Sequence, residues 1–299
     1  MLEHGGRLRA AAAHYNLPLP DWIDLSTGIN PHGWPVPPLP PEVWQRLPES
    51  DDGLETAAAA YYGNPDGLVV AGSQAAIQWL PALLPRAAVA CIAPLYNEHP
   101  HAWQRAGHKV RFLQNALLPR ALAAATPYVL LCNPNNPTAD RHPHAIVLDA
   151  AHQLKKRGGW LIVDEAFIDA TPEESLTPLA GTSEAPNLLV LRSLGKFFGL
   201  AGVRLGFLFG AADLREKMLD AMGPWTVSGP ARAVARLALA DTAWQTATRA
   251  RLQADSQRLH HLLDPLGEVR STALFATLNA ANTSELHEYL AQIKSHGLH

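Results

Sequence analysis

The chain of 299 residues reads as an α/β protein: a mainly parallel central sheet with helices on both faces, and a smaller, shortened α+β domain at its C-terminal end. Three observations predict this. Short β-branched runs alternate with alanine-rich stretches, the pattern of wound βα units. Hydrophobic residues make up 47% of the chain against 17% charged, which marks a well-filled core and excludes a disordered chain. The length accommodates one large domain and a smaller one.

Taken in order, residues 1–34 read as an N-terminal arm belonging to the small domain. Asn30 to Pro48 holds seven prolines and cannot join a sheet interior, so it reads as a stiff extended segment. The large domain, residues 35–215, contains predicted strands at Leu68–Ala71, Ala88–Ala93, Lys109–Phe112, Tyr128–Cys132, Trp160–Val163, Leu188–Leu191 and Leu205–Phe209. Helices are predicted between them at Ser73–Leu83, Asn97–Ala106 and Pro143–Arg157, with another at Ala212–Met222. In the C-terminal domain, residues 216–299, good helix formers run from Pro230 to Leu263. A strand near Ala273–Leu278 and a helix near Ser284–Lys294 follow.

Composition also excludes. A net charge of -3 offers no electrostatic case for nucleic acid or an anionic membrane. No apolar run approaches a membrane span, and Met1-Leu-Glu-His-Gly-Gly lacks a signal-peptide core, so a cytoplasmic protein is expected. Cys91 and Cys132 lie in apolar strands and read as buried free thiols. His99-x-His101 and His142-x-His144 have paired spacing, but the sequence places no further ligands beside them, so no metal is assigned.

The most specific stretch is Ser193-Leu-Gly-Lys196, followed by Arg204. A lysine that forms a Schiff base needs a cramped, partly dehydrated site with nearby positive charge, so that its amine is neutral often enough to attack a carbonyl. Ser193 and Arg204 are residue types that hold phosphate, by a hydroxyl and by a bidentate fork. Together they describe a lysine bonded to a phosphate-bearing aldehyde, pyridoxal phosphate. A nucleotide-binding loop is excluded, because Val190 and Phe197 stand where it needs glycine and Ser or Thr.

Asp164 ends an apolar strand, where a carboxylate points into the ligand crevice of a parallel sheet; an acid that caps the following turn reads the same way. Asn133-Pro-Asn-Asn136-Pro-Thr makes a turn after another strand. Gly72-Ser73-Gln74 joins a strand to a helix, with amides facing an anion and Ser73 as cap. Many ordinary strand–helix joints look alike.

These four pieces, with Tyr96 as a fifth, resemble in kind and order the fold-type I pyridoxal-phosphate enzymes, in the branch holding histidinol-phosphate aminotransferase and threonine-phosphate decarboxylase. The resemblance implies a phosphate cup of Gly72, Ser73, Gln74, Ser193 and Arg204. It implies Tyr96 stacked on the cofactor, Asn136 donating to its phenolic oxygen, Asp164 at its ring nitrogen and Lys196 as the covalent link. Ala139 stands where the family usually has glycine.

His4-Gly-Gly, Leu25-Ser-Thr-Gly28-Ile-Asn30-Pro and Asp164-Glu-Ala-Phe-Ile-Asp169 resemble the threonine-phosphate decarboxylases of cobalamin synthesis. That implies loss of CO2 from O-phospho-L-threonine to give (R)-1-aminopropan-2-ol phosphate, with His4, Gly28 and Asn30 on the substrate side. The alternatives are a histidinol-phosphate aminotransferase and an impaired pyridoxal-phosphate-binding protein. The last arises because the family's final strand carries an arginine for the substrate carboxylate, and no arginine follows Arg270. A homodimer is implied, with Tyr61 or Tyr62 as candidates to reach across the interface.

Overall fold

Strand runs that are apolar at nearly every position need cover on both faces, and the computed structural model supplies it. It describes residues 4–114, 118–123, 125–280 and 284. In chain order the elements are α1 (Leu8–Tyr15), α2 (Glu42–Gln45), α3 (Leu54–Tyr62), β1 (Leu68–Val70), α4 (Ser73–Leu83), β2 (Ala88–Ala93), α5 (Glu98–Arg105), β3 (Lys109–Gln114), α6 (Leu118–Ala123), β4 (Tyr128–Cys132), α7 (His144–Lys155), β5 (Trp160–Asp164), β6 (Leu188–Ser193), β7 (Gly206–Phe209), α8 (Ala212–Met222), α9 (Gly229–Ala240), α10 (Thr242–Leu263), β8 (Gly267–Ser271) and β9 (Ala276–Ala280).

The seven-stranded sheet has the order β1-β7-β6-β5-β4-β2-β3. β2 through β6 pair in parallel, while β7 runs antiparallel to both β6 and β1. Successive side chains point to opposite faces. Val129, Leu131, Leu161, Val163 and Val190 therefore pack on one side with α3, α6, α7 and α9. Tyr128, Leu130, Ile162, Leu189 and Leu191 pack on the other with α4, α5 and α8. The expected fold class is the observed one.

Differences gather in the C-terminal third. The stretch expected as one helical region breaks at Asp241, whose backbone leaves the helical region (φ -85°, ψ 77°). Its carboxylate accepts the Trp244 amide at 3.0 Å and the Trp34 indole N–H at 3.0 Å. An acidic residue that satisfies a new helix start outweighs the propensity of its neighbours. The strand expected from Ala273 begins at Ala276, because residues 272–275 turn tightly: Thr272 Oγ1 accepts the amides of Leu274 and Phe275. Its antiparallel partner β8 was not foreseen. The helix expected near Ser284–Lys294 lies outside the described residues. The proline-rich segment contributes no strand, only the single turn α2.

Tyr61 and Tyr62, the candidates to reach across an interface, bond and pack within their own chain. Tyr61 donates to Asp169 of its own chain at 3.0 Å, and Tyr62 is buried with its ring against Phe207 and Phe209. Tyr62, next to the Gly63 cap, lies on the buried face of α3 with Leu54 and Ala58.

Candidate active site

β2, β4, β5 and β6 are parallel, so Ala93, Cys132, Asp164 and Ser193 end them at one edge of the sheet. The chain winds outward from β2 to β3 and then returns to place β4 against β2. Connections leave in opposite directions at that point, which opens a crevice. A cavity of about 540 Å³ fills it, and its wall gathers every residue predicted for the site except Gly72 and Asn30. A second cavity of about 570 Å³, along Gly6–Ala10 and Leu19, contains none of them.

Lys196 sits in the connection between β6 and β7. Its backbone carbonyl accepts the amides of Asn30 at 3.0 Å and Gly199 at 3.1 Å. Gly199 adopts φ +66°, and a Cβ there would lie 2.5 Å from the Gly33 Cα, so glycine lets the lysine loop meet the N-terminal segment. The amine lies 5.2 Å from the centre of the Phe167 ring. Burial lowers its pKa from the usual lysine value; Asp164 opposes this and Arg204 reinforces it.

Asn30 is not in the cavity, which corrects its reading as a substrate contact. It is 2% exposed, and its amide donates to the Phe197 carbonyl at 2.9 Å while its oxygen accepts the His32 amide. These bonds hold the lysine loop from behind and leave nothing pointing at a ligand. Gly28 does line the wall, against Phe167, whose ring carbon would lie 2.7 Å from a Cβ placed there.

Asp164 is 5% exposed. One carboxylate oxygen takes the Ala166 amide at 3.0 Å, and the other meets His99 Nε2 at 2.8 Å. His99 was singled out in sequence only as half of a possible metal pair. What identifies it is that the Tyr96-x-x-His99 spacing, beginning at the end of β2, brings its ring over the end of β5, a relation no local signal carries.

At the other end of the cavity, α4 starts at Ser73. The cap is Gly72 and not Ser73, because that position has φ 72° and ψ 156°, a conformation open essentially to glycine. A Cβ at Gly72 would lie 2.7 Å from the Arg204 guanidinium. Glycine thus lets the arginine lie against the helix start, whose free amides favour anions. Arg204 itself has φ 55° after a short 3₁₀ turn, which aims it back toward Ser73 and Ser193. Asn136 lines the opposite wall together with Tyr96.

The N-terminal segment closes one side. His4 Nε2 meets Glu98 at 2.7 Å, and its ring stands 5.8 Å from Tyr96. Glu98 also accepts from Gln74 and Gln78. Burial raises the Glu98 pKa, but the bonds from His4 and Gln74 outweigh it and the carboxyl titrates below its ordinary value.

Behind the lysine lies a buried ionic cluster with no counterpart among the sequence expectations. Arg192, 2% exposed, bonds Glu165 at 3.2 Å, Ser175 at 2.9 Å, Thr177 at 3.0 Å and Asp169 at 2.5 Å. Burial disfavours its charge, yet Asp169 and Glu165 raise its pKa above the ordinary arginine value. Glu165 and Arg192 are chain neighbours of Asp164 and Ser193, so the cluster sets where both strands end.

A family model described as aminotransferase class I and II matches residues 20–292. The chain is 50% identical over 294 residues to a threonine-phosphate decarboxylase of Pseudomonas aeruginosa, covering 98% of this chain and 88% of that one. It is 39% identical over 300 residues to a threonine-phosphate decarboxylase of Sinorhizobium, covering 97% and 87%. Among solved structures, histidinol-phosphate aminotransferase from Sinorhizobium meliloti in complex with pyridoxal-5'-phosphate superposes with a TM-score of 0.80 at 21% identity, covering 99% of this chain and 86% of that chain. A sheet edge that collects lysine, aspartate and an arginine-backed helix start, in a chain matched over most of its length, leaves one assignment: the protein belongs to the aminotransferase class I and II family.

Proposed function

We propose that this chain is a pyridoxal-phosphate-dependent decarboxylase of O-phospho-L-threonine, releasing CO2 and (R)-1-aminopropan-2-ol phosphate. The observation that carries the reading is one cavity holding the Lys196 amine, the Asp164 carboxylate and the anion cradle of Ser73, Ser193 and Arg204. The relatives named threonine-phosphate decarboxylase support the choice of substrate.

The donor set fits the cofactor. The missing Cβ of Gly72 makes room for Arg204 beside the start of α4, a cradle for a phosphate dianion. Gln74 lines the same wall. Asn136 offers a neutral donor for a phenolic oxygen, and Tyr96 an aromatic face. Asp164, fixed by His99 and the Ala166 amide, presents an acceptor suited to a protonated ring nitrogen. Bound there, the cofactor supplies an electron sink for the pair left on Cα as CO2 departs.

The chain's residues do the rest. A lowered pKa keeps the Lys196 amine neutral more often, ready to attack an aldehyde. The same Nζ returns a proton to Cα after decarboxylation. His4 and Gly28 line the substrate side. Phe167, packed on Phe275 at 5.0 Å, keeps water from the amine. We propose further that the protein acts as a homodimer in the cytoplasm; among the described residues no helix is long and apolar enough to cross a membrane.

The test is to mix purified protein, pyridoxal phosphate and O-phospho-L-threonine and to measure CO2 and the amine product. Release of both without any 2-oxo acid is expected. Amino transfer that depends on a 2-oxo acid, with no CO2, overturns the reading in favour of an aminotransferase.

A further inference from the structure

Cys132 has no part in the chemistry proposed above, yet it lines the cavity. It ends β4 directly beside Asp164 at the end of β5, in paired register. His99 enters from the first turn of α5. The Sγ of Cys132, a ring nitrogen of His99 and a carboxylate oxygen of Asp164 all lie within 4.8 Å of one another. The three residues are 7%, 1% and 5% exposed. Rigid elements thus hold a soft thiol, an imidazole and a carboxylate around one point, and two of the three residues, Cys132 and Asp164, line the cavity.

We infer that His99, Cys132 and Asp164 form a three-ligand site for a thiophilic divalent cation of the zinc class, opening onto the cofactor cavity. The donors match zinc, which takes sulfur, imidazole nitrogen and carboxylate oxygen in tetrahedral sites and leaves a fourth position for water where the site is open. A tetrahedral ion separates such donors by roughly 3.3–3.6 Å, so the His99–Asp164 pair at 2.8 Å must part by about half an ångström. The thiol, already within 4.8 Å of the other two donors, must approach by at most about 1.5 Å.

Further groups support the donors. The Ala166 amide fixes the second oxygen of Asp164 at 3.0 Å, and the Tyr96 backbone N–H hydrogen-bonds the Cys132 sulfur. On binding, the ion takes the place of the thiol proton, which leaves to solvent. The paired spacing His99-x-His101 therefore misdirects: the partners of His99 come from β4 and β5, and His101 has no share. The metal site stands on geometry alone. Its competition with pyridoxal phosphate rests on the cofactor reading, because both then face the same Asp164 oxygen.

The experiment titrates cofactor-free protein with cadmium chloride and reads the ultraviolet thiolate-to-metal absorbance, with zinc chloride binding followed by calorimetry. One ion per chain is expected, with the band present in Cys91→Ser and lost in Cys132→Ser. Zinc affinity falls by at least about tenfold in both Cys132→Ser and His99→Asn. Circular dichroism matching the parent shows that the variants fold. Absence of the band in the parent protein, or its survival in Cys132→Ser, overturns the site. Pyridoxal phosphate added first is expected to prevent the band. If pyridoxal phosphate forms a borohydride-reducible link to Lys196 and the band is unchanged, the shared location is overturned. If no such link forms while the band behaves as expected, the cofactor reading has failed and the metal site stands.

Discussion

Burial and two neighbours decide how Lys196 behaves: burial favours its neutral amine, Arg204 pushes the same way, and Asp164 pushes back. The signs give a pH prediction. The rate at which cofactor-free protein captures pyridoxal, which lacks the phosphate, rises with pH through a midpoint below that of free lysine. Arg204→Gln removes a repelling charge and moves the midpoint to higher pH, while Asp164→Asn removes an attracting one and moves it lower. Stopped-flow absorbance at a series of pH values checks all three. Lys196→Ala removes the borohydride-reducible absorbance and lowers turnover by at least about 10²–10⁴-fold, the range lost with a general acid–base group. At this scale Lys196, Asp164 and Arg204 were legible because their segments carry chemistry in local order. His99 and Phe167 were not, because their meaning lies in which strand end they cover.

Elements carry the next constraint. The edge of the sheet is useful only if β5 and β6 end where they do, and Arg192 ties those ends together through Glu165 and Asp169. Arg192→Met strands two buried carboxylates and is expected to cost about 3–5 kcal/mol, read as a lower denaturant midpoint with an unchanged slope. The joint between β1 and α4 is equally restrictive. Gly72→Ala forces a Cβ against the Arg204 guanidinium in a backbone conformation that costs about 1–3 kcal/mol for other residues. Pyridoxal phosphate affinity is expected to fall more than stability does, a contrast that equilibrium titration and thermal melts together resolve.

For the whole molecule, the N-terminal arm and the proline-crowded segment after it show apolar residues to solvent. Ile23, Leu25, Val36, Trp44 and Leu47 are 50–68% exposed. The homodimer proposed above would bury them. Sedimentation is expected to give twice the mass of one chain, and Trp44→Asp to shift the protein toward the single chain; a parent protein that sediments as one chain sinks the proposal. The segment is also tied inward: Asn30 holds the lysine loop, and Trp34 bonds Asp241 between α9 and α10. Changes in the arm are therefore felt at the site.

Local order and composition determined the sheet, most of its strands and the residues proposed to hold a phosphorylated aldehyde, because each depends on short runs whose pattern survives in one dimension. Tertiary structure alone decided the rest. It buried Tyr62 and tied Tyr61 to Asp169, turned Asn30 from a ligand contact into a brace, split the long helical stretch at Asp241, and brought Cys132, His99 and Asp164 to one point. Each of those outcomes is set by what another strand or helix places opposite, and a position along the chain holds no record of that.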